Sequence, residues 1–304
     1  MFLQLLSKIK HIKILRNFYY FLKGNSLVHI ISSKAGPVVC LDIGAAMFEH
    51  TRWLPFLNSK NTIWIASDPS SSGLYYLKKW IWKSKLIIEK FALSKNGGRL
   101  NFHQTNQITG SSLKAINISQ NVSHRFEMKY FYPIKKRKII TKSIKKVLNE
   151  HTKFKNIPIF IKIDIQGYEF ELIKGMRDYF KKKQICGLEV ESSLLADPVY
   201  KKGSKFNEIS LFLEKNDFEL LRLNVHNSKK DKLFKNFTTN ECDSVFSLKQ
   251  SIINKKDLNC KMSMLQFYAS YKLYDEIKSL YYKNEDLKRF LGKNFLKNNQ
   301  YYFK

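Results

Sequence analysis

The sequence is short of several kinds of residue, and each shortage excludes a class of protein. Its 304 residues include only four cysteines, widely separated and without a C-x-x-C pair, so we interpret them as small core residues and not as disulfides. No uninterrupted apolar stretch approaches the about 18 residues that cross a bilayer, and the N-terminus lacks a recognisable cleavage signal. We therefore expect a cytoplasmic protein.

Acidic residues and arginine are also scarce. The 54 Lys and Arg residues outnumber the 25 Asp and Glu residues, and the resulting net charge of +29 favours a polyanion or an anionic membrane surface as partner. However, only 8 of the basic residues are arginine, the residue whose forked guanidinium reads phosphate and guanine. Because lysine, asparagine and isoleucine are abundant together, we interpret much of the charge as compositional bias and expect no nucleic-acid partner.

The 44% of apolar residues are enough for a packed core, and they are arranged in a regular alternation. Short apolar runs predict strands at 38–44, 62–68, 85–93, 159–165, 184–192, 218–225 and 242–248. Amphipathic runs predict helices at 49–57, 73–83, 168–180 and 206–215. Strands that alternate with helices indicate a doubly wound α/β fold, here with a mostly parallel seven-stranded sheet.

Three segments flank or interrupt this predicted domain, which spans residues 36–250. Residues 1–35 contain no acidic residue and carry a basic amphipathic pattern, which predicts a helical extension. This extension either packs on the core or rests on anionic lipid at the inner membrane surface. A β-rich insertion is predicted at about 97–146, and residues 251–304 are predicted to form a helical C-terminal appendage.

The ends of the first three predicted strands indicate a nucleoside site. The first strand runs through Asp42 and Gly44 to Ala45, where a glycine turn lets the backbone approach a ligand and a carboxylate can bind an amino group. Asp68, at the end of the second strand, occupies the position from which a carboxylate hydrogen-bonds ribose hydroxyls in such folds. It is also placed to cap a helix. Ala92, at the end of the third, offers an apolar wall for adenine. No G-x-x-x-x-G-K-[ST] or G-x-G-x-x-G motif is present, which favours a nucleoside without a pyrophosphate.

Charged residues in two later strands indicate chemistry at the same edge. Alternation places Lys162 and Asp164 on one face of a strand, and Glu189 with Glu191 on one face of another. We interpret Asp164 as a base or substrate anchor, with Lys162 and one glutamate as its ion-pair neighbours. Three carboxylates could also bind Mg²⁺, but nothing fixes their geometry, and we predict no metal.

Six segments together carry a resemblance to a known family: VVCLDIGAA (38–46), SDPS (67–70), FALSKNGG (91–98), GSSL (110–113), IFIKIDIQGYEFELIKG (159–175) and CDSVFSL (242–248). In order and spacing they resemble the FkbM-type methyltransferases over about residues 36–250, most specifically in the run K-I-D-x-x-G-x-E-x-x-x-x-x-G. The resemblance implies a class I, Rossmann-like methyltransferase fold and S-adenosyl-L-methionine as cofactor. It also implies methylation of hydroxyl oxygens on sugars, polyketides or similar metabolites.

The resemblance also implies roles for individual residues. It makes Asp42, Gly44 and Ala45 the methionine-side turn, Asp68 the ribose carboxylate, Ala92 part of the adenine wall and Asp164 the residue nearest the transferable methyl. The sequence departs from the family pattern at three places. Ala46 stands where asparagine is common, Phe48 where a second glycine is common, and Gln166 where glutamate is usual.

The predicted function is therefore S-adenosylmethionine-dependent O-methylation of a small-molecule or glycan acceptor. Asp164 is the first candidate for the base, and His50 and His103 are secondary ones. Three alternatives stay open. The basic run 135–146 favours an RNA-binding or RNA-modifying protein, Phe48 favours a catalytically silent relative, and the basic N-terminal stripe favours a lipid-linked glycan acceptor at a membrane.

Overall fold

The computed structural model describes residues 27–46, 53, 56, 59–70, 84–117, 132–151, 157–227 and 239–298. Several predictions lie outside these ranges and are not tested by them. They are the basic segment before Leu27, the residues Phe48 and His50, the predicted helix 73–83, and all of the predicted helix 49–57 except Trp53 and Phe56.

Ten strands occur in the described part of the chain. In chain order they are β1 (Val38–Ile43), β2 (Thr62–Ser67), β3 (Lys85–Glu89), β4 (Ala92–Ser94), β5 (Gly98–Thr105), β6 (Pro133–Ser143), β7 (Ile159–Ile163), β8 (Ile185–Ser193), β9 (Phe218–Asn227) and β10 (Thr239–Leu248). Seven of them form one sheet in the order β3-β2-β1-β7-β8-β10-β9. Pairing is parallel from β3 to β8, and β10 runs antiparallel to both of its neighbours. The predicted doubly wound, mostly parallel seven-stranded sheet is confirmed.

The burial of the two central strands of this sheet explains why their sequences are apolar. All residues of β1 and β7 are buried, as in parallel sheets that are covered on both faces. The chain order reverses between them, because β1 pairs with β2 on one side and with β7 on the other. In open α/β sheets, ligands bind at the carboxyl ends of the strands where the order reverses. The topology therefore places a cleft at the ends of β1 and β7.

The prediction of a single strand over 85–93 was wrong. Strand β3 ends at Glu89, and Ala92 already belongs to β4 in a second, three-stranded sheet of order β4-β6-β5. The edge strand β3 stops where the Glu89 carboxylate binds Lys142 Nζ and His151 Nε2, each at 2.9 Å. Strands β5 and β6 occupy the segment predicted to be a β-rich insertion.

Ten α-helices lie in the described ranges. They are α1 (Leu27–Lys34), α2 (Ile144–His151), α3 (Glu169–Lys174), α4 (Arg177–Lys181), α5 (Phe206–Glu214), α6 (Gln250–Ile253), α7 (Leu258–Ser270), α8 (Tyr274–Lys283), α9 (Glu285–Leu291) and α10 (Phe295–Asn298). The single helix predicted over 168–180 is two short helices, α3 and α4, with a break at Gly175 and Met176. Within the described ranges, every helix is too short or too polar to span a bilayer.

The C-terminal helices share the core of the main sheet. Every residue of α7 from Cys260 onward is buried, and the Asp257 carboxylate caps the helix by accepting the Cys260 N–H at 2.8 Å. The Phe267 ring stacks on Phe160 of β7 with centroids 5.0 Å apart. Helix α7 is thus a buried layer of the fold, in which polar side chains such as Lys261 and Gln266 are covered as well.

Candidate active site

A cavity of about 690 Å³ lies at the carboxyl ends of β1, β2 and β7, between the two sheets. Five of the predicted site residues line it: Gly44, Asp68, Ala92, Lys162 and Asp164. The structure therefore brings together residues that are up to 120 positions apart in the chain, Gly44 and Asp164. The other two predicted residues, Asp42 and Ala45, are buried beside the cavity and are not among its lining residues.

Gly44 is required by the approach of two strands. Its φ is +88°, and a Cβ at this position would lie 1.7 Å from the carbonyl oxygen of Asp164. The Asp164 N–H donates to the Ile43 carbonyl at 3.0 Å, so the ends of β1 and β7 are joined directly at this glycine. We expected the space beside Gly44 to admit a ligand. Instead, the space admits the backbone that carries Asp164.

The backbone N–H groups after β1 also differ from expectation. We expected them to point at a ligand, but the N–H groups of Gly44 and Ala45 donate to the Ser67 carbonyl at 2.9 Å and 3.2 Å. These bonds hold the first turn against the end of β2. The turn therefore shapes the cavity wall with its backbone, and it satisfies its own donors within the protein.

Asp68 is a largely buried carboxylate at the end of β2. One of its oxygens, Oδ1, accepts the Ser70 N–H at 2.6 Å, so the carboxylate also stabilises its own turn. Burial raises the pKa of Asp68 to about 6, although the Ser70 N–H opposes the rise. Asp68 thus lines the cavity as an acceptor that titrates close to neutral pH.

Lys162 and Asp164 form an ion pair on the cavity wall, with Lys162 Nζ 3.1 Å from Asp164 Oδ2. Burial alone would raise the pKa of Asp164, but the charge of Lys162 outweighs burial and holds the pKa well below its usual range. The pKa of Lys162 is in turn raised, because its carboxylate neighbours outweigh the effect of burial. Asp164 is therefore a stable carboxylate with a low proton affinity.

Asp42 lies behind this pair. Its Oδ1 is buried and accepts no hydrogen bond from any described residue. Burial raises the pKa of Asp42 to about 6, while the charge of Lys162 lowers it. A buried carboxylate oxygen without a donor is costly, so this atom is one that a buried water molecule would satisfy.

The two glutamates of β8, Glu189 and Glu191, do not have the role that the sequence predicts. Lys162 and Glu189 are register partners on the neighbouring strands β7 and β8. However, Glu189 accepts hydrogen bonds from Trp53 Nε1, at 3.3 Å, and from the Tyr271 hydroxyl. Neither Glu189 nor Glu191 is among the residues that line the cavity. The expectation that both would face the cleft was therefore wrong.

The alternative of a magnesium site on these carboxylates also finds no support. Among the described residues, the acidic and histidine side chains within metal-ligating distance of one another are Glu89, Glu150 and His151. The Lys142 ammonium lies between the two glutamates of that cluster, 2.9 Å from Glu89 and 2.6 Å from Glu150, and neutralises part of their charge.

Gln166 is a site residue whose role the sequence did not reveal. Its φ is +61°, and its side-chain amide nitrogen lies 2.9 Å from Asp164 Oδ1 and 2.8 Å from Glu191 Oε2. The Tyr200 hydroxyl is 2.9 Å from the Gln166 side-chain oxygen. Gln166 thus bridges two carboxylates that would otherwise repel each other. The available signal was its place in the run after Asp164, where the family commonly has glutamate.

Two further side chains hold the loop that carries Gln166. Glu169 Oε1 accepts the N–H groups of Ile165 and Gly167 at 3.0 Å and 2.9 Å. From the other side, the Ser112 hydroxyl donates to the Gln166 carbonyl at 2.7 Å. Through these bonds, Ser112 of the GSSL segment and Glu169 of the motif fix the loop after Asp164 at the cavity wall.

The opposite wall of the cavity comes from the three-stranded sheet. Phe102 and Gln104 of β5 and Arg137 of β6 line it, with the Arg137 guanidinium 5.7 Å from the centroid of the Phe102 ring. His103, between the two β5 residues, is not among the lining residues, and burial and Lys136 lower its pKa. The geometry thus leaves Asp164 ahead of His103 as the group that meets an acceptor.

The chain is similar to one known family in sequence and, at low scores, to several solved structures. The methyltransferase FkbM domain matches residues 49–220, which is more than half of the chain. Precorrin-6y C5,15-methyltransferase from Geobacter metallireducens is similar in structure, with 13% identity, a TM-score of 0.33, and coverage of 73% of this chain and 85% of that chain. TYW2 of M. jannaschii, solved in complex with AdoMet, is similar with 11% identity, a TM-score of 0.30, and coverage of 73% and 74%. No curated protein matches the sequence.

Proposed function

The chain belongs to the FkbM methyltransferase family, and we propose that it transfers the methyl group of S-adenosylmethionine to a hydroxyl oxygen of a small molecule or glycan. Methyl transfer from S-adenosylmethionine follows from the family. The hydroxyl acceptor is the proposal. The observation that carries it is the Asp164 carboxylate on the wall of the same cavity as Gly44, Asp68 and Ala92.

The residues of the cavity fit the cofactor. The nearly buried Asp68 carboxylate suits the two ribose hydroxyls, and Ala92 offers an apolar surface for adenine. The Asp42 carboxylate, buried beside Lys162 and outside the lining, adds negative charge near this wall. When bound, S-adenosylmethionine supplies a methyl group on a positively charged sulfur, and the carboxylates at the strand ends would stabilise such a charge.

Asp164 would act mainly by orientation. A general base works best when its pKa is near the working pH, and Lys162 holds the pKa of Asp164 far below that. A carboxylate of this kind accepts a hydrogen bond from the acceptor hydroxyl and aims the oxygen at the methyl carbon. It takes the proton only as the new C–O bond forms, when that proton has become strongly acidic. The sulfur keeps the electron pair of the broken C–S bond.

The size of the cavity favours a small acceptor. About 690 Å³ falls within the range of cavities that bind small molecules, about 300–1,000 Å³. The lining offers neutral hydrogen-bonding groups suited to hydroxyl-rich compounds, such as Gln104, Thr109 and Ser111. These features support a metabolite or sugar residue more than a nucleic-acid duplex.

The test compares Asp164→Ala with Asp164→Asn in the full chain. Transfer of labelled methyl from S-adenosylmethionine is measured against a panel of monosaccharides and sugar acids, and binding of S-adenosylhomocysteine is measured by calorimetry. We expect Asp164→Ala to lower turnover by about 10²–10⁴-fold with cofactor affinity retained, and Asp164→Asn to retain part of the turnover through its side-chain oxygen.

The labelled product distinguishes the chemistry. A methyl ether survives mild alkali, whereas a methyl ester is hydrolysed by it. Alkali-labile product would replace hydroxyl methylation with carboxyl methylation. Unchanged turnover in Asp164→Ala would remove Asp164 from the mechanism, and failure of the wild-type protein to bind S-adenosylhomocysteine would favour the catalytically silent alternative.

A further inference from the structure

We propose that the acceptor carries an anionic group, a phosphate or a carboxylate, and that Arg137 binds this group. The proposal rests on the proposed function in one respect, because it takes the cavity described above as the place where the acceptor binds. It adds the charge of the substrate and a residue that recognises it.

The two walls of the cavity differ in charge. The wall at the ends of β2 and β7 carries the carboxylates of Asp68 and Asp164. The wall formed by the second sheet has none, because the described residues 98–117 and 132–146 contain no aspartate or glutamate. The first wall therefore suits a cation and ribose hydroxyls, whereas the second suits an anion.

Arg137 is the cation that this second wall directs into the cavity. It stands opposite Phe102 in the β5–β6 register, and residues opposite each other in antiparallel strands share a face of the sheet. Both side chains line the cavity, and the guanidinium lies over the Phe102 ring. The contact with the ring uses none of the N–H donors of the guanidinium, so the fork is available for an oxyanion.

Among the described residues, no carboxylate forms an ion pair with Arg137, whereas Lys142 on the same strand is paired with Glu89 and Glu150. Lys135 lies two positions away, on the same face of β6, and is exposed. In a chain with only 8 arginines, an unpaired one at the wall of the main cavity is a specific feature.

Lys136 provides a matched control. It is the neighbour of Arg137 on β6, is also exposed, and pairs with His103, so its side chain lies on the opposite face of the sheet. Removing its charge changes the net charge of the protein as much as removing that of Arg137. If Arg137 contacts the acceptor, only its substitution should weaken binding. If binding depends only on the net charge of the protein, both substitutions should weaken it equally.

The experiment uses calorimetry with three probes: glucose 1-phosphate, glucuronate and glucose, each with and without saturating S-adenosylhomocysteine. The proteins are wild type, Arg137→Gln, Arg137→Lys and Lys136→Gln, with urea denaturation as a check that each is folded. We expect at least one charged probe to bind wild type about tenfold or more tightly than glucose, as a charge-assisted hydrogen bond would give. The phosphate and carboxylate probes separate the two sources of the anion.

Arg137→Gln should remove that preference, Arg137→Lys should restore part of it, and Lys136→Gln should keep it. Equal binding of charged and neutral probes, including no binding of either, would overturn the proposal. Equal losses in Arg137→Gln and Lys136→Gln would also overturn it, as would weakened binding of S-adenosylhomocysteine in Arg137→Gln. If wild type fails to bind S-adenosylhomocysteine but shows the Arg137-dependent preference, the proposed function fails and the anion site stands.

Discussion

Replacing Gly44 with alanine would separate two strands at the point where the site is built. The new Cβ would lie 1.7 Å from the Asp164 carbonyl oxygen and 2.8 Å from its carbonyl carbon, both of which are backbone atoms. To reach the shortest distance that a Cβ tolerates, about 3.0 Å, the two strand ends must move apart by about 1.3 Å. The movement also strains the hydrogen bond from the Asp164 N–H to the Ile43 carbonyl.

The loss of stability in Gly44→Ala has two parts, which a control substitution at another glycine can separate. A positive φ costs a residue with a Cβ about 1–2 kcal/mol, and overpacking costs about 1–3 kcal/mol. Gly98 also has a positive φ, +97°, but a Cβ there would meet nothing within 4 Å. We therefore expect Gly98→Ala to lower the free energy of unfolding by about 1–2 kcal/mol and Gly44→Ala by about 2–5 kcal/mol.

The loss of activity should be measurable in protein that is still folded. A displacement of about 1 Å at a reacting group costs about 100-fold in rate. We expect Gly44→Ala to lose about 100-fold in methyl transfer under conditions where urea denaturation shows it folded, and Gly98→Ala to keep wild-type activity. Equal effects of the two substitutions on stability and activity would refute the reasoning, because they share the strain and differ only in the clash.

Two further predictions concern charge and pH. Lys162→Met should lower the free energy of unfolding by about 3 kcal/mol at pH 8, because Asp42 remains as a buried carboxylate and Asp164 as a partly buried one. Without the lysine, the raised pKa of Asp42 would rise further and that of Asp164 would no longer be held low, so stability is lost as the pH rises. Urea denaturation at pH 5 should therefore show a smaller cost; equal costs would contradict this. Since the pKa of Asp68 is about 6, its affinity for ribose should fall as the pH drops below 6. Calorimetry with S-adenosylhomocysteine should show this fall in wild type, and persistence of the fall in Asp68→Asn would assign it to another group.

Much of the fold followed from local patterns. Strands such as β1, β7 and β8 are continuous apolar runs, and a period of two residues placed Lys162 with Asp164 on one face and Glu189 with Glu191 on one face. The resemblance to the family predicts that Asp164 lies nearest the transferable methyl. These features are local, so neighbouring residues in the chain are sufficient to reveal them.

The break between β3 and β4 could not be read in this way. The residues between Glu89 and Ala92 have no turn signature, and the chain changes sheet there because β4 pairs with residues 141–143 of β6, which lie far along the chain. The same is true of the second wall of the cavity. Arg137 belongs to a basic run, and the sequence does not reveal which of these basic side chains faces the cavity. The pairing of Arg137 with Phe102 places it on the cavity side of the sheet.

The sequence by itself determined most strands of the main sheet and the carboxylates near their ends, because periodicity and apolar runs act over a few residues. The tertiary structure decided which of those carboxylates meet the cavity. Glu189 accepts hydrogen bonds from Trp53 and Tyr271, which lie far apart in the chain. Asp164 stays on the cavity wall because Gly44 lets its backbone come close. Side-chain contacts between segments far apart in the chain depend on how the layers pack, and no local pattern encodes them.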